Sequence, residues 1–174
     1  MDDLEIEILV LEAQMGSRFA VQKLYEQFNH SLKKYAYVRV KNKMIAEDIT
    51  QNVWLKVFRR INRLNNVSLF KSWLFKALIW ELNDWHRKSN REVLLPDPQN
   101  DYGYETDVSR DFDLFPLLRQ LDSSERETAE LYYVNDLSVR EVSLVLGVPE
   151  GTIKSRLHRA RTTLKAVIEK NERK

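Results

Sequence analysis

The sequence predicts an all-α protein of two small helical domains joined by a flexible linker, the second domain a helix-turn-helix. Three observations predict it. Glycine and proline number only four each in 174 residues, so the chain has few backbone breakers. Apolar residues recur at helical spacing over long stretches. One aperiodic interruption, residues 89–111 (SNREVLLPDPQNDYGYETDVSRD), carries a Pro-Asp-Pro and a glycine and reads as a linker. The expected organisation is a domain over 1–90, a linker over 91–112 and a domain over 113–174.

In chain order, residues 4–15 and 17–38 form two expected helices broken near Gly16-Ser17. A third runs from Ile45 to Leu64, with Ile49, Val53, Val57 and Ile61 on one face at i, i+4, i+8 and i+12. The run Leu64-Asn65-Asn66-Val67-Ser68 breaks it, because Asn and Ser bond their own backbone and favour turns. A fourth helix spans Leu69 to Lys88. Helices resume over Leu114–Leu121, and Asp122-Ser123-Ser124-Glu125 reads as an N-cap opening a helix to about Tyr133.

Composition excludes several classes of function. There is no cysteine, hence no disulfide framework, thiolate metal site or cysteine nucleophile. The three histidines (His30, His86, His158) are far apart, so no metal site is expected, and no cofactor. The opening MDDLEIEILVLEAQ is acidic and amphipathic, without the basic start and apolar run of a signal peptide. No later segment approaches a membrane span, and a cytoplasmic protein is expected. Charge is blocked along the chain. Residues 1–88 hold 15 Lys and Arg against 10 Asp and Glu, residues 89–136 hold 4 against 12, and residues 137–174 hold 9 against 4. Clustered basic charge of this kind suits a polyanion, and equally suits the solvated faces of charged helices.

The stretch LSVREVSLVLGVPEGTIKSRLHRARTTL (Leu137–Leu164) is the most informative. Ser138 caps a short helix whose apolar residues are Val139, Val142, Val145 and Leu146. Gly147 ends it in a left-handed conformation that a Cβ penalises, and Pro149 suits the first turn of the next helix. A helix, a glycine-bearing turn and a second helix make a helix-turn-helix. In the second helix Ile153, Leu157, Ala160 and Leu164 share a packing stripe. Ser155, His158, Arg159 and Thr162 oppose it, with Lys154 and Arg161 on one flank, a face suited to a DNA major groove. Arg156 lies nearer the packed stripe.

Two N-terminal faces also carry polar chemistry. Trp73, Lys76, Trp80, Asn83 and Arg87 follow i, i+3, i+7, i+10 and i+14 on the fourth helix. Rings interleaved with cations suit opened DNA, where bases stack and phosphates find charge; the two tryptophans also suit a core. On the third helix Asp48, Gln51, Asn52 and Lys56 form a polar line with Trp54 and Phe58 nearby, either ordinary solvated surface or a docking face.

From Glu7 to Ala166 the chain resembles the extracytoplasmic-function (ECF) class of bacterial sigma factors, of the sigma-70 family. GTIKSRLHRAR (Gly151–Arg161) resembles the promoter-binding helix of the family's fourth region. AEDITQNVWLKVF (Ala46–Phe58) resembles the second-region helix that docks on the polymerase clamp, and FKSWLFKALIWELNDWHRKSNR (Phe70–Arg91) the helix that opens the minus-ten element. LEAQMGSRFAVQKLYEQF (Leu11–Phe28) is similar to the family's opening helices. The resemblance implies core RNA polymerase (the clamp of its largest subunit), promoter DNA and an anti-sigma factor as partners. It implies docking through Asp48, Gln51, Asn52, Trp54 and Lys56. Thr152, Lys154, Ser155, His158, Arg159 and Arg161 would contact the duplex minus-thirty-five element. Asn65, Asn66, Ser68, Trp73, Lys76, Trp80, Asn83 and Arg87 would face the opened minus-ten strand, the first three in a loop that captures a flipped base. One departure stands out: Trp80 falls where the family commonly has Asn. A helix-turn-helix repressor or activator with a sensing or dimerising N-terminal domain shares the C-terminal half but needs a pocket or dimer seam in place of the Trp/Lys/Asn/Arg stripe. An enzyme is not expected, since the sequence has no Gly-rich phosphate loop, metal cluster or nucleophile triad.

Overall fold

A computed structural model describes residues 1–89 and 114–172. The chain divides into two compact units, Met1–Tyr102 and Gly103–Lys174. Every regular element among the described residues is helical, as expected. The linker expected over 91–112 lies outside those residues.

The N-terminal unit contains α1 (Asp3–Gln14), α2 (Arg18–Val40), α3 (Lys43–Arg60) and α4 (Phe70–Ser89). A capping box starts α1: the Asp2 carboxylate accepts from the Glu5 N–H, and Glu5 accepts in return from the Asp2 N–H. Ser17 and Asn42 cap α2 and α3 more simply, each side chain accepting one first-turn N–H. α2 packs on α1, α3 and α4, and α3 packs on α4. Their shared core holds Leu24, Leu32, Val53, Phe70, Leu74, Phe75 and Leu78, all essentially inaccessible. The expected third helix is shorter than its apolar periodicity: α3 stops at Arg60 and a 3-10 turn, Ile61–Arg63, follows. Ile61 stays buried, so the apolar spacing runs on through a change of helix type. A second 3-10 turn, Val67–Leu69, leads into α4.

Gln14, at the end of α1, reaches across to this region. Its side-chain amide donates to the carbonyls of Ile61 at 2.8 Å and Leu64 at 2.9 Å, tying α1 to the loop before α4. Gln14→Ala is expected to cost about 1–2 kcal/mol, checked by urea unfolding followed by tryptophan fluorescence.

The C-terminal unit contains α5 (Leu114–Leu118), α6 (Ser123–Ala129), α7 (Val139–Leu146) and α8 (Glu150–Glu172). α8 packs on α5, α6 and α7. Leu118, Leu121, Ala129 and Ala160 form a buried cluster, with Val134 and Leu164 packed against it. Helix α6 begins where expected, but the Asp122 carboxylate makes no capping bond. Its last turn also differs from expectation, widening into a π-turn over Glu130–Val134. Asn135 closes that turn, its backbone N–H and side-chain amide both donating to the Glu130 carbonyl.

The helix-turn-helix is built largely as its sequence dictates. Ser138 and Glu141 form a capping box that starts α7. Gly147 follows at φ +68°, and Ser143 Oγ donates to the Val148 carbonyl across the turn at 2.6 Å. Pro149 stands just ahead of α8 rather than inside its first turn, and its carbonyl accepts from the Thr152 and Ile153 N–H groups. A Cβ at Gly147 would meet nothing within 4 Å, so only backbone strain opposes a side chain there. Gly147→Ala is therefore expected to destabilise the unit by about 1–2 kcal/mol, measured by thermal unfolding.

Candidate nucleic-acid interface

Helix α8 buries Ile153, Leu157 and Ala160 and exposes Lys154, Ser155, His158, Arg159, Arg161 and Thr162 on its other faces. Thr152 and Arg156 are half-buried. Two hydroxyls of the exposed face are engaged by the helix itself: Ser155 Oγ donates to the Thr152 carbonyl and Thr162 Oγ1 to that of His158. Arg159 is not a freely ranging cation. Its Nε donates to Glu125 Oε1 at 2.8 Å, and Glu125 is nearly buried in α6. The pair orients the guanidinium while leaving much of it in solvent, because burying that carboxylate requires a charged partner.

In the N-terminal unit Lys76, Trp80, Asn83 and Arg87 are exposed along one side of α4, with Trp80 58% exposed. Trp73 is half-buried against Phe70, its ring tilted at a centroid distance of 6.4 Å. Arg87 and Lys88 both pair with Asp84, and Lys88 first, then Arg87, hold the Asp84 carboxyl below its ordinary range. In the preceding loop Asn65, Asn66 and Ser68 are all exposed. Asn66, however, is engaged locally. Its Oδ1 accepts from the Ser68 N–H at 3.1 Å and from Ser68 Oγ at 2.7 Å, capping the 3-10 turn.

The docking line on α3 divides. Asp48, Gln51 and Asn52 are exposed. Trp54 corrects the sequence expectation: it is 4% exposed, stacked on Phe58, tilted against Tyr25, and donates its indole N–H to Asn29 Oδ1. It lies about 100° from Val53, far enough round to meet α2. Lys56 is on the opposite flank and turns toward α4. Its ammonium pairs with the nearly buried Glu81 and sits 4.5 Å above the Trp80 ring. The structure thus joins two residues that the sequence assigns to separate faces.

Sequence reasoning missed the apolar members of the α3 face. Met44 and Leu55 are 76% and 56% exposed. With Asp48 and Gln51 they fall within an arc of about 60° on α3. The available signal is an apolar residue out of phase with the Ile49–Val53–Val57 stripe. Missed as well were Gln14 and Arg126, whose roles depend on distant backbone carbonyls.

Residues 24–92 match the model of sigma-70 region 2, and residues 116–164 match that of sigma-70 region 4. The chain is 28% identical over 153 residues to the RNA polymerase sigma factor SigZ of Bacillus subtilis, covering 86% of this chain and 87% of that protein. It is 32% identical over 167 residues to the ECF RNA polymerase sigma factor BldN of Streptomyces coelicolor, covering 90% of this chain and 63% of the relative. Among solved structures, CnrH in complex with the cytosolic domain of CnrY is similar at TM-score 0.67 and 19% identity, covering 95% of this chain and 97% of that one. The sigma factor RpoE of Bartonella quintana, in complex with the anti-sigma factor NepR, is similar at TM-score 0.62 and 24% identity, covering 85% and 98%. These two likenesses concern the fold. Two regions of one family occur in order on the two helical units, and relatives of that family run along most of the chain; the protein belongs to the extracytoplasmic-function class of the sigma-70 family.

Proposed function

We propose that this chain is a promoter-recognising sigma factor: it binds core RNA polymerase, contacts the minus-thirty-five element as duplex and engages the opened minus-ten strand. The observation that carries the reading is the presence on one chain of two differently built exposed faces, cationic on α8 and aromatic with cations on α4. On α8, Lys154 and Arg161 would meet phosphates, while Thr152, Ser155 and His158 would line the groove. Arg159, steered by Glu125, would reach the duplex in a restricted set of directions. On α4, Trp80 would offer its open face for base stacking, with Lys76, Asn83 and Arg87 beside it and Trp73 two turns back along the helix. Asn65, Ser68 and the amide nitrogen of Asn66 would serve the preceding loop. The polymerase clamp would meet Asp48, Gln51, Asn52 and the apolar pair Met44 and Leu55, with Lys56 at the border and Trp54 holding the helix from inside.

As a transcription initiation factor the chain would do no bond-making chemistry of its own. It would work in the cytoplasm, beside chromosome and polymerase; among the described residues no helix is long and apolar enough to cross a membrane. A protein antagonist is part of the proposal, since the similar structures hold CnrH with CnrY and RpoE with NepR.

Reconstituted transcription with bacterial core polymerase, on a library of fragments from the parent genome, tests the proposal. Protein-dependent transcripts sharing an upstream motif are the expected outcome. Duplex binding without core binding or initiation would leave the repressor or activator reading instead. In the same assay Trp80→Asn is expected to change the preferred minus-ten sequence and to weaken use of the original promoter about tenfold, the equivalent of about 1.4 kcal/mol of stacking. Core binding should be retained.

A further inference from the structure

The N-terminal helix α1 is apolar on two opposite sides. Ile6, Val10 and Ala13 are buried against the rest of the unit. Leu4, Ile8, Leu11 and Met15 point the other way, at i, i+4, i+7 and i+11, and are 66%, 47%, 47% and 80% exposed. At about 100° per residue the outward four fall within an arc of about 60°. The inward three are centred roughly opposite. Phe19, 62% exposed at the start of α2, follows Met15 in sequence. The segment is therefore not the one-sided amphipathic helix its sequence first suggests. A helix apolar on both sides is ordinarily covered on both, and a contiguous exposed apolar strip marks an interaction surface.

Charge specifies what covers it. Glu7 flanks the outward stripe on one side, Glu5 and Glu12 on the other, and no Lys or Arg occurs before Arg18; Asp3 lies further round and is already paired with Lys71 of α4. A second copy of the same helix would set carboxylates against carboxylates on both flanks, which disfavours self-association. A partner helix with an apolar stripe and Lys or Arg along both edges would bury Leu4, Ile8, Leu11 and Met15 and meet acid on each side. Three turns suffice, because the stripe spans eleven residue steps, or about 17 Å.

We infer that the outward face of α1, Leu4–Ile8–Leu11–Met15 edged by carboxylates, is a docking site for a cationic amphipathic helix of another protein. It lies on a different helix from the exposed faces of α3, α4 and α8 described above, and it does not depend on the sigma-factor reading.

The test uses the full-length chain and a labelled synthetic 14-residue helix of Leu and Lys (LKKLLKLLKKLLKL), followed by fluorescence anisotropy. Micromolar binding is expected. Ile8→Gln with Leu11→Gln, both exposed and so tolerated by the fold, should weaken it at least tenfold; Met44→Gln with Leu55→Gln on α3 should change it less than twofold. A matched Leu/Glu peptide should not bind. Equal affinity of the unchanged chain and the stripe variant overturns the inference. So does dimerisation in sedimentation that the stripe variant abolishes, or binding to phosphatidylcholine vesicles that it abolishes, since these assign the face to a second copy or to a membrane. Transcription with core polymerase should be equal for the unchanged chain and the stripe variant. A loss there would assign the stripe to the polymerase instead.

Discussion

Arg126→Leu is expected to unfold the C-terminal unit at temperatures where the N-terminal unit remains intact. The Arg126 guanidinium donates to three backbone carbonyls, those of Leu118 at 3.0 Å, Arg119 at 3.0 Å and Leu121 at 2.8 Å. These carbonyls lie at the end of the five-residue α5 and just beyond it, where a helix leaves its acceptors unmatched. Leu118 and Leu121 belong to the buried cluster that also holds Ala160 of α8, so loosening this corner loosens the support of α8, the proposed groove-facing helix. Hydrogen bonds from a charged donor contribute about 1.5–3 kcal/mol each. Partial exposure and non-additivity reduce the set of three to about 3 kcal/mol. For so small a unit that lowers the melting temperature by roughly 15 °C. The chain supplies its own control, because all four tryptophans (54, 73, 80 and 85) are in the N-terminal half. Helicity by circular dichroism should gain an early transition while tryptophan fluorescence melts as before. Arg126→Lys should recover only part of the loss, since an ammonium cannot span three fixed acceptors. Coincident, unshifted melts would refute the role.

Lys154→Ala combined with Arg161→Ala should weaken promoter binding by the polymerase complex at least tenfold at physiological salt. Both residues are exposed on α8, and neither is needed by the core. If each meets one phosphate, each removes about 0.9 from the slope of log K against log salt. The double variant should therefore flatten that slope by roughly 2, with little change in sequence preference. Glu125→Gln should act differently. It frees Arg159 from its partner without removing a cation, so it should leave the slope nearly as it was and blur discrimination among minus-thirty-five sequences. A slope unchanged by the double variant would remove Lys154 and Arg161 from the interface.

The two-unit helical organisation was legible because its signals are local. The Ser138 and Glu141 spacing, the left-handed Gly147 and the Ile153–Leu157–Ala160 stripe each act within a turn or two. Residues whose roles are set by another element were not. Trp54 looks like part of a polar line until α2 supplies Asn29 and Tyr25 to hold it inside. Lys56 seems to continue the same line, yet α4 draws it toward Glu81 and Trp80. Asn66 carries the right groups for a base, but a neighbouring serine already uses its oxygen. In α1 the difficulty was degeneracy: Leu4 and Ile6 are both strongly apolar, and only the packing of α2 and of the two 3-10 turns tells inside from outside. The break after Arg60 was hidden for the converse reason, because Ile61 keeps its place in the apolar rhythm while the helix beneath it tightens.

Lys56 also bears on how the two tasks of the N-terminal unit communicate. One ammonium stands at the boundary between the proposed clamp-facing side of α3 and the proposed strand-facing ring of Trp80, anchored by Glu81 between them. Whatever draws it toward one side withdraws it from the other. Thermodynamic reciprocity then requires that a polymerase contact which alters the hold of Lys56 on Trp80 change the affinity for the opened strand, and that the strand change the affinity for polymerase by the same factor. A single side chain would in this sense join the two proposed tasks, binding the machine and reading the message.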